Sequence, residues 1–209
     1  LPELKNTPLG AASAAEVLTH QAGLPAGWPF DQNVLLNGAP DPYWLSPVRT
    51  KDHTLQATDS LWVRNTWPDT AVARIARIPL GPKTYLYSDL GYYLFQRFLE
   101  RKSGVPLQQF VREQVWEPAG IESLVYGPLL GTSKDFRTRT APTEQVKDYR
   151  QGVLRGTVHD PGAALMGGVA GHAGIFGTAD GVAASMELFL SRGEVGSGRI
   201  FSDEDVRAY

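Results

Sequence analysis

The sequence predicts a mainly helical chain with long loops and few strands. Apolar residues recur at helical spacing over residues 90–99, 107–115 and 182–190. Strand signals are limited to short runs such as Ser123–Tyr126. Residues 26–80 and 127–160 are irregular, and their polar, proline and tryptophan residues predict long surface loops with only short helical turns.

The first predicted helix is defined by its ends. Ser13 and Glu16 form a capping box, in which each side chain can bond a backbone amide of the first turn. The helix should end near His20, because Gly23 and Pro25 block its continuation. The simplest role for His20 is an interaction with the last carbonyls of that helix.

Two further helices are predicted over residues 90–103 and 106–116, with Gly104 as the left-handed stop between them and Pro106 in the first turn of the second. We expect both to bury their apolar stripes in one shared cluster that includes Phe98. A later helix should be capped by Thr178. Its predicted stripe consists of Val182, Met186, Phe189 and Leu190.

Composition limits the classes of function. The 209 residues suffice for one domain with a sizeable core, and 42% are hydrophobic and 20% charged. A formal charge of −2 gives no reason to expect nucleic acid or an anionic membrane as a partner. Cysteine is absent, which excludes disulfides, thiolate nucleophiles and cysteine-bound metal. No apolar run is long enough to span a membrane, and the residues after Leu1 do not resemble a signal segment.

The segment Leu86-Tyr-Ser-Asp-Leu-Gly-Tyr92 stands at a predicted loop-to-helix junction. A tyrosine there can point into a cleft, and its phenolate would be a strong base. Because a free phenol has a pKa of about 10, base function near neutral pH requires a nearby cation. The alternative is structural: Tyr87 is a half-buried aromatic, and Ser88 or Asp89 caps the helix.

Three segments together resemble the class C β-lactamase-like and penicillin-binding-protein-like serine hydrolases. Residues 86–124 are similar to the region that begins with the Y-S-N motif of that family. Residues 16–25, EVLTHQAGLP, resemble its L-L-T-H-T-S-G-L-P segment, and residues 171–180, GHAGIFGTAD, its G-H-A-G-L-F-S-T-A-x-D segment. The resemblance implies the β-lactamase/D-alanyl-peptidase fold, which is α+β in the intact family; this chain would supply mostly its helical portion.

By this resemblance Tyr87 matches the motif tyrosine, which takes part in activating the nucleophilic serine and in protonating the leaving group. Asp89 stands where the family usually has an asparagine that contacts the substrate. A carboxylate accepts hydrogen bonds but cannot donate one unless protonated, so contact with a substrate carbonyl is in question. Ser88 lies between the two and is not expected to be the nucleophile.

The flanking motifs of the family are absent. No serine of this chain has a lysine three residues later, so the S-x-x-K nucleophile motif is missing, and neither K-T-G nor H-T-G occurs. We therefore expect residues 1–209 to be a single, incomplete serine-hydrolase domain, with one motif before Leu1 and the other beyond Tyr209. The chain by itself would then be inactive.

His172 has two interpretations. It could line the substrate cleft near the tyrosine, or it could be held by hydrogen bonds within a tight glycine loop, which the flanking glycines favour. A metal site formed by His159, Asp160 and His172 is a further hypothesis, although their spacing matches no standard metal motif.

The resemblance implies an acyl-enzyme hydrolase acting on an ester, a β-lactam or a D-amino-acid peptide, without a metal or organic cofactor. Its partner would be a small-molecule or peptide substrate, and its location the cell envelope or the exterior. Two alternatives remain open: a non-catalytic binding or scaffold protein that keeps the fold, and a His/Asp metal-dependent hydrolase.

Overall fold

A computed structural model describes residues 1–127 and 138–208. Its α-helices, in chain order, are α1 (Ala14–Leu18), α2 (Trp67–Ile75), α3 (Leu90–Ser103), α4 (Leu107–Val111), α5 (Pro161–Leu165), α6 (Ala179–Leu190) and α7 (Asp203–Ala208). Short 3-10 turns cover Pro2–Leu4, Leu9–Ala11 and Phe30–Val34, and a π-helical turn, Arg112–Trp116, continues α4.

The strands form small antiparallel sheets between the helices. They are β1 (Leu35–Leu36), β2 (Ala39–Pro40), β3 (Leu45–Ser46), β4 (His53–Thr58), β5 (Leu61–Arg64), β6 (Leu124–Tyr126), β7 (Pro142–Val146), β8 (Gly152–Arg155), β9 (Ile175–Gly177), β10 (Glu194–Val195) and β11 (Gly198–Arg199). β5 lies between β3 and β4 in a three-stranded sheet, and the other strands pair as β1–β2, β6–β9, β7–β8 and β10–β11. Among the described residues, no helix is long and apolar enough to cross a membrane.

The predicted ends of the helices are largely confirmed. Ser13 and Glu16 form both bonds of the capping box, and Thr178 caps α6. α3 ends at Gly104, whose φ of 77° is the left-handed conformation that favours glycine. Pro106 is the N-cap of α4 rather than its first residue.

The prediction of a surface loop over residues 26–80 was wrong. This region contains the three-stranded sheet and α2, and it supplies much of the main core. Trp67, Val72 and Ile75 of α2 are fully buried there. Of the tryptophans in this region, Trp67 is therefore a central core residue, whereas Trp28 is largely exposed. The predicted loop at 127–160 likewise contains the β7–β8 hairpin.

The prediction of one cluster shared by α3 and the following helix was also wrong. α3 packs into the main core through Leu90, Tyr93 and Leu94, while Val111 and Trp116 belong to a second cluster with Ile121, Leu124 and Leu188. Phe98 is 48% exposed because the elements around α3 cover only part of its apolar stripe.

The predicted stripe of α6 does not form core among the described residues. Gly181 and Leu188 are its buried positions. Val182, Met186, Phe189 and Leu190 are all exposed, although they recur at helical spacing.

Candidate active site

The Tyr87 segment lies at the entrance to α3, as predicted. Asp89 is the N-cap residue of α3, but its side chain does not cap the helix. Instead, Asp89 Oδ1 accepts a hydrogen bond from the Tyr87 hydroxyl at 2.8 Å. The amide of Leu90 donates to Ser88 Oγ at 3.3 Å, which gives Ser88 the local capping contact.

Tyr87 and Ser88 differ in their exposure. The Tyr87 side chain is largely solvent-accessible, whereas Ser88 is 3% exposed. Tyr87 can therefore meet a substrate, and Ser88 cannot without a rearrangement. The expectation that the Tyr87 hydroxyl faces a concave surface remains a prediction, since Tyr87 lines neither of the two cavities described in this chain.

The electrostatics of Tyr87 favour the protonated phenol. The hydrogen bond to Asp89 raises the pKa of Tyr87 above its usual range, and partial burial adds to the effect. The phenol hydrogen-bonds a carboxylate rather than the ammonium group that phenolate formation requires. In this arrangement Tyr87 is suited to donate a proton.

A second cluster of polar residues lies around α5. Asp160 is its N-cap and accepts from the Ala163 amide at 2.5 Å. His172 Nε2 lies 3.2 Å from the same carboxylate oxygen of Asp160, and the His172 ring packs on Tyr93 with centroids 4.7 Å apart. Burial tends to raise the pKa of Asp160, but the hydrogen bonds from His172 and the Ala163 amide outweigh it and hold the pKa below its usual range.

This geometry favours the second interpretation of His172. Its side chain is only 5% exposed, and its contacts are with Asp160 and Tyr93 rather than with the Tyr87 segment. His172 therefore holds the glycine-rich loop against α5. A role in substrate contact is not supported by any of these contacts.

Of the three residues of the hypothetical metal site, His172 and Asp160 are paired, whereas the His159 side chain has a different partner. His159 Nε2 lies 3.4 Å from Glu144 on β7, and His172 pairs with Asp160. Within residues 1–127 and 138–208, no group of three or more His, Cys, Asp or Glu side chains is arranged to hold a metal ion.

A cavity of about 930 Å³ lies beside α5. Its walls include Thr143 of β7, the turn from Thr157 to Asp160, and Ile175 with its neighbours on β9. Arg150 shapes one wall, because its buried guanidinium donates to the carbonyls of Val158 and His159. Sequence reasoning missed Arg150, since it treated residues 127–160 as loop.

The sequence also missed the contact between His20 and the Tyr87 segment. The Ser88 amide donates to Nδ1 of the His20 side chain at 3.2 Å, while the His20 backbone amide donates at 3.2 Å to the carbonyl of Val17 in the last turn of α1. The two residues lie 68 positions apart. The only sequence signal for this contact was that residues 16–25 and 86–124 both resemble segments of the same family.

Comparison with known proteins gives a consistent result. The chain matches the Beta-lactamase family over residues 1–206. It is 29% identical over 193 residues to an N-acetylmuramyl-L-alanine amidase of Bacillus subtilis, which covers 85% of this chain and 38% of that protein. The chain thus spans little more than a third of the length of this relative.

Solved structures show the same fold. A penicillin-binding protein homologue from Caulobacter crescentus superimposes with a TM-score of 0.58 at 19% identity, over 99% of this chain and 50% of that one. A D-amino acid amidase from Ochrobactrum anthropi gives a TM-score of 0.55 at 14% identity, over 96% of this chain and 48% of that one. With residues 1–206 matched, the chain belongs to the β-lactamase family of the serine hydrolase superfamily.

Proposed function

We propose that this chain is part of an acyl-enzyme hydrolase in which Tyr87 transfers the proton and Asp89 holds the phenol. The observation that carries the proposal is an exposed tyrosine, hydrogen-bonded to Asp89 at 2.8 Å, at the entrance to α3. It occurs in a chain of the β-lactamase family at the position that resembles the motif tyrosine.

The proposed reaction has two halves. A serine hydroxyl gives its proton to a base other than Tyr87 and attacks the substrate carbonyl, the bond from the carbonyl carbon to the leaving nitrogen or oxygen breaks, and the leaving group takes a proton from Tyr87. Water then cleaves the acyl-enzyme. Tyr87 accepts a proton of the attacking water and is restored as a phenol, and the base returns its proton to the serine oxygen as that oxygen leaves the acyl carbon.

The names of two amidases similar to this chain support the substrate class that we propose. The amidases among them carry names that specify an amide of muramyl-L-alanine and amides of D-amino acids. We propose that an amide or peptide of this kind is the preferred substrate and that simple esters and β-lactams are cleaved less well. The fold alone does not decide among these bonds, so the assay must include all three.

The nucleophile is not among residues 1–209, because no serine is followed three residues later by lysine. We therefore expect the 209-residue chain to leave nitrocefin and p-nitrophenyl esters unhydrolysed above background. The assay is a steady-state measurement at high protein concentration, with Tyr87→Phe as a control for contaminants. Turnover that disappears in the control would show that a nucleophile lies within these residues.

The positive test uses the complete coding sequence. If it contains an S-x-x-K serine, the encoded protein should hydrolyse a D-amino-acid amide, and Tyr87→Phe should lower kcat by about 10²–10⁴-fold, the usual contribution of general acid–base catalysis. If the coding sequence contains no such serine, the enzyme proposal fails. The alternative of a non-catalytic scaffold with this fold would then be favoured.

A further inference from the structure

His20 is held in an unusual backbone conformation directly after α1. Its φ is 59°, in the left-handed region that most residues avoid. This conformation ends the helix and turns both the carbonyl and the half-buried ring of His20 toward the Tyr87 segment. A strained residue of this kind persists only where surrounding contacts stabilise it.

Two hydrogen bonds join His20 to the motif, one on each side of Tyr87. The Leu86 amide donates to the His20 carbonyl at 3.0 Å, and the Ser88 amide donates to His20 Nδ1 at 3.2 Å. The two bonded amides belong to the peptide units 85–86 and 87–88, so His20 holds the chain on both sides of the Leu86–Tyr87 pair. Because each residue has two soft backbone dihedrals, four dihedrals lie between these bonds, and holding both ends restricts them and with them the direction of the Tyr87 Cα–Cβ bond.

Further contacts join the segment around His20 to the segment that precedes Tyr87. Gly81 donates to the Gly23 carbonyl at 2.7 Å, and Lys83 pairs with Glu16 at 2.6 Å. A Cβ on Gly23 would lie 2.4 Å from the Gly81 carbonyl oxygen, so the two segments are as close as glycine permits.

The His20 ring also contacts the aromatic residues of the motif. Its centroid lies 4.7 Å from that of Tyr87 and 5.8 Å from that of Tyr92. Ring packing alone could orient Tyr87. The acceptor at Nδ1 and the aromatic ring are therefore two separable contributions, and substitutions can distinguish them.

We propose that His20 is a positioning residue that orients Tyr87 by accepting the Ser88 amide at Nδ1. The inference rests on the proposed function of Tyr87, but it is tested by measurements that need no activity. Accepting at Nδ1 requires that the neutral imidazole carry its proton on Nε2. The ¹⁵N chemical shifts of the His20 ring in the unmodified 209-residue chain report this directly. An Nδ1–H tautomer would overturn the proposal, even if no variant folds.

Two substitutions separate the contribution of the Nδ1 acceptor from that of the aromatic ring. His20→Asn keeps an acceptor oxygen at the position of Nδ1 and tolerates the left-handed backbone. His20→Phe keeps an aromatic ring and removes the acceptor. In His20→Phe we expect hydrogen exchange at the Ser88 amide to rise about 3- to 10-fold, as the loss of one hydrogen bond implies. In His20→Asn it should stay within about 2-fold of the unmodified chain.

The Leu86 amide is the internal control, because it bonds the backbone carbonyl of His20 and should change by less than about 2-fold in either variant. Equal acceleration at Ser88 in both variants would assign the effect to ring packing and overturn the proposal. Unchanged exchange in His20→Phe would do the same. If the exchange results hold while Tyr87→Phe leaves the complete enzyme active, the function proposed for Tyr87 fails and the orientation by His20 stands.

Discussion

Gly162 lies against the buried hydroxyl of Tyr93, and we predict that Gly162→Ala destabilises the protein only while that hydroxyl is present. A Cβ at residue 162 would lie 2.1 Å from Tyr93 Oη, 3.3 Å from Asp160 Oδ1 and 3.4 Å from Tyr93 Cζ. Only the 2.1 Å distance to Tyr93 Oη is shorter than a real Cβ contact can be. Tyr93 is 3% exposed and its ring packs against Phe30 and His172, so it cannot swing away freely.

The magnitude follows from two opposing terms. Overpacking a buried site typically costs about 1–3 kcal/mol of unfolding free energy. Alanine is favoured over glycine within a helix by about 0.5–1 kcal/mol, and less near the end of a helix as short as α5. We therefore expect Gly162→Ala to cost about 1–2 kcal/mol. In a Tyr93→Phe background the nearest ring atom is at an ordinary contact distance, so the same change should be neutral or slightly stabilising.

The assay is a double-mutant cycle by urea unfolding of the four proteins. The expected coupling between the two sites is about 1–2 kcal/mol. Gly27→Ala is the matched control, since a Cβ there meets nothing within 4 Å and the change should stay within about 0.5 kcal/mol. Equal destabilisation by Gly162→Ala in both backgrounds would refute the argument that the Tyr93 hydroxyl is the obstacle.

Three further predictions concern the site and its support. Asp89→Asn should lower the pKa of Tyr87, because the charged acceptor that raises it is removed; a ¹³Cζ-tyrosine NMR titration measures this, and an unchanged pKa would contradict it. Arg101 binds Glu3 at 2.6 and 2.8 Å and lowers the pKa of Glu3 from 4.5 to about 2, so the pair stabilises the fold above pH 4.5 and is lost as the pH falls toward 2. Glu3→Gln should thus lower the free energy of unfolding by on the order of 1 kcal/mol near pH 6, after solvent screening is allowed for. In acid unfolding, the difference in stability between the variant and the unmodified chain should vanish near pH 2. A difference in stability that does not depend on pH would exclude the ion pair as its cause. Phe98→Ala should lower the free energy of unfolding by less than about 1.5 kcal/mol because Phe98 is half exposed, whereas Leu94→Ala on the same helix should lower it by about 2–5 kcal/mol. Similar melting temperatures for the two variants would show that burial does not determine the cost of truncating side chains on α3.

Local signals predicted the helices that depend on local chemistry. α3 combines a strong apolar period with a glycine stop, and α1 is fixed by its capping box. Periodicity shows which side of a helix is apolar but not how far neighbouring elements cover it. Phe98 and the α6 stripe were therefore assigned to the core, although the described residues leave them exposed.

The elements that were missed depend on long-range packing. β4, His53–Thr58, carries no clean apolar alternation, and it forms a strand because β5 pairs with it. α2 begins with Trp67 and Pro68 in a region crowded with turn residues, yet Trp67 and Val72 are completely buried. In both cases tertiary contacts outweigh a weak local preference.

At the candidate site, the resemblance singled out Tyr87 and Asp89, and their neighbourhood could be expected because they are two positions apart at the start of a helix. The substitution of aspartate for the usual asparagine was first a difficulty, since a carboxylate cannot donate to a substrate carbonyl. The structure gives that carboxylate a different partner, the Tyr87 hydroxyl. A negatively charged acceptor disfavours phenolate, so in the reaction proposed for it Tyr87 would begin as the protonated phenol. Any base that activates the serine must then be another group, or a cation must first displace Asp89 from the phenol. The pH dependence of kcat in the complete enzyme and in its Asp89→Asn variant separates these routes. If Tyr87 acts as the base, kcat rises with pH as the phenolate forms, and if it acts as the acid, kcat falls as the phenol is lost. In either case the variant should shift that change in kcat to lower pH, because its Tyr87 pKa is lower.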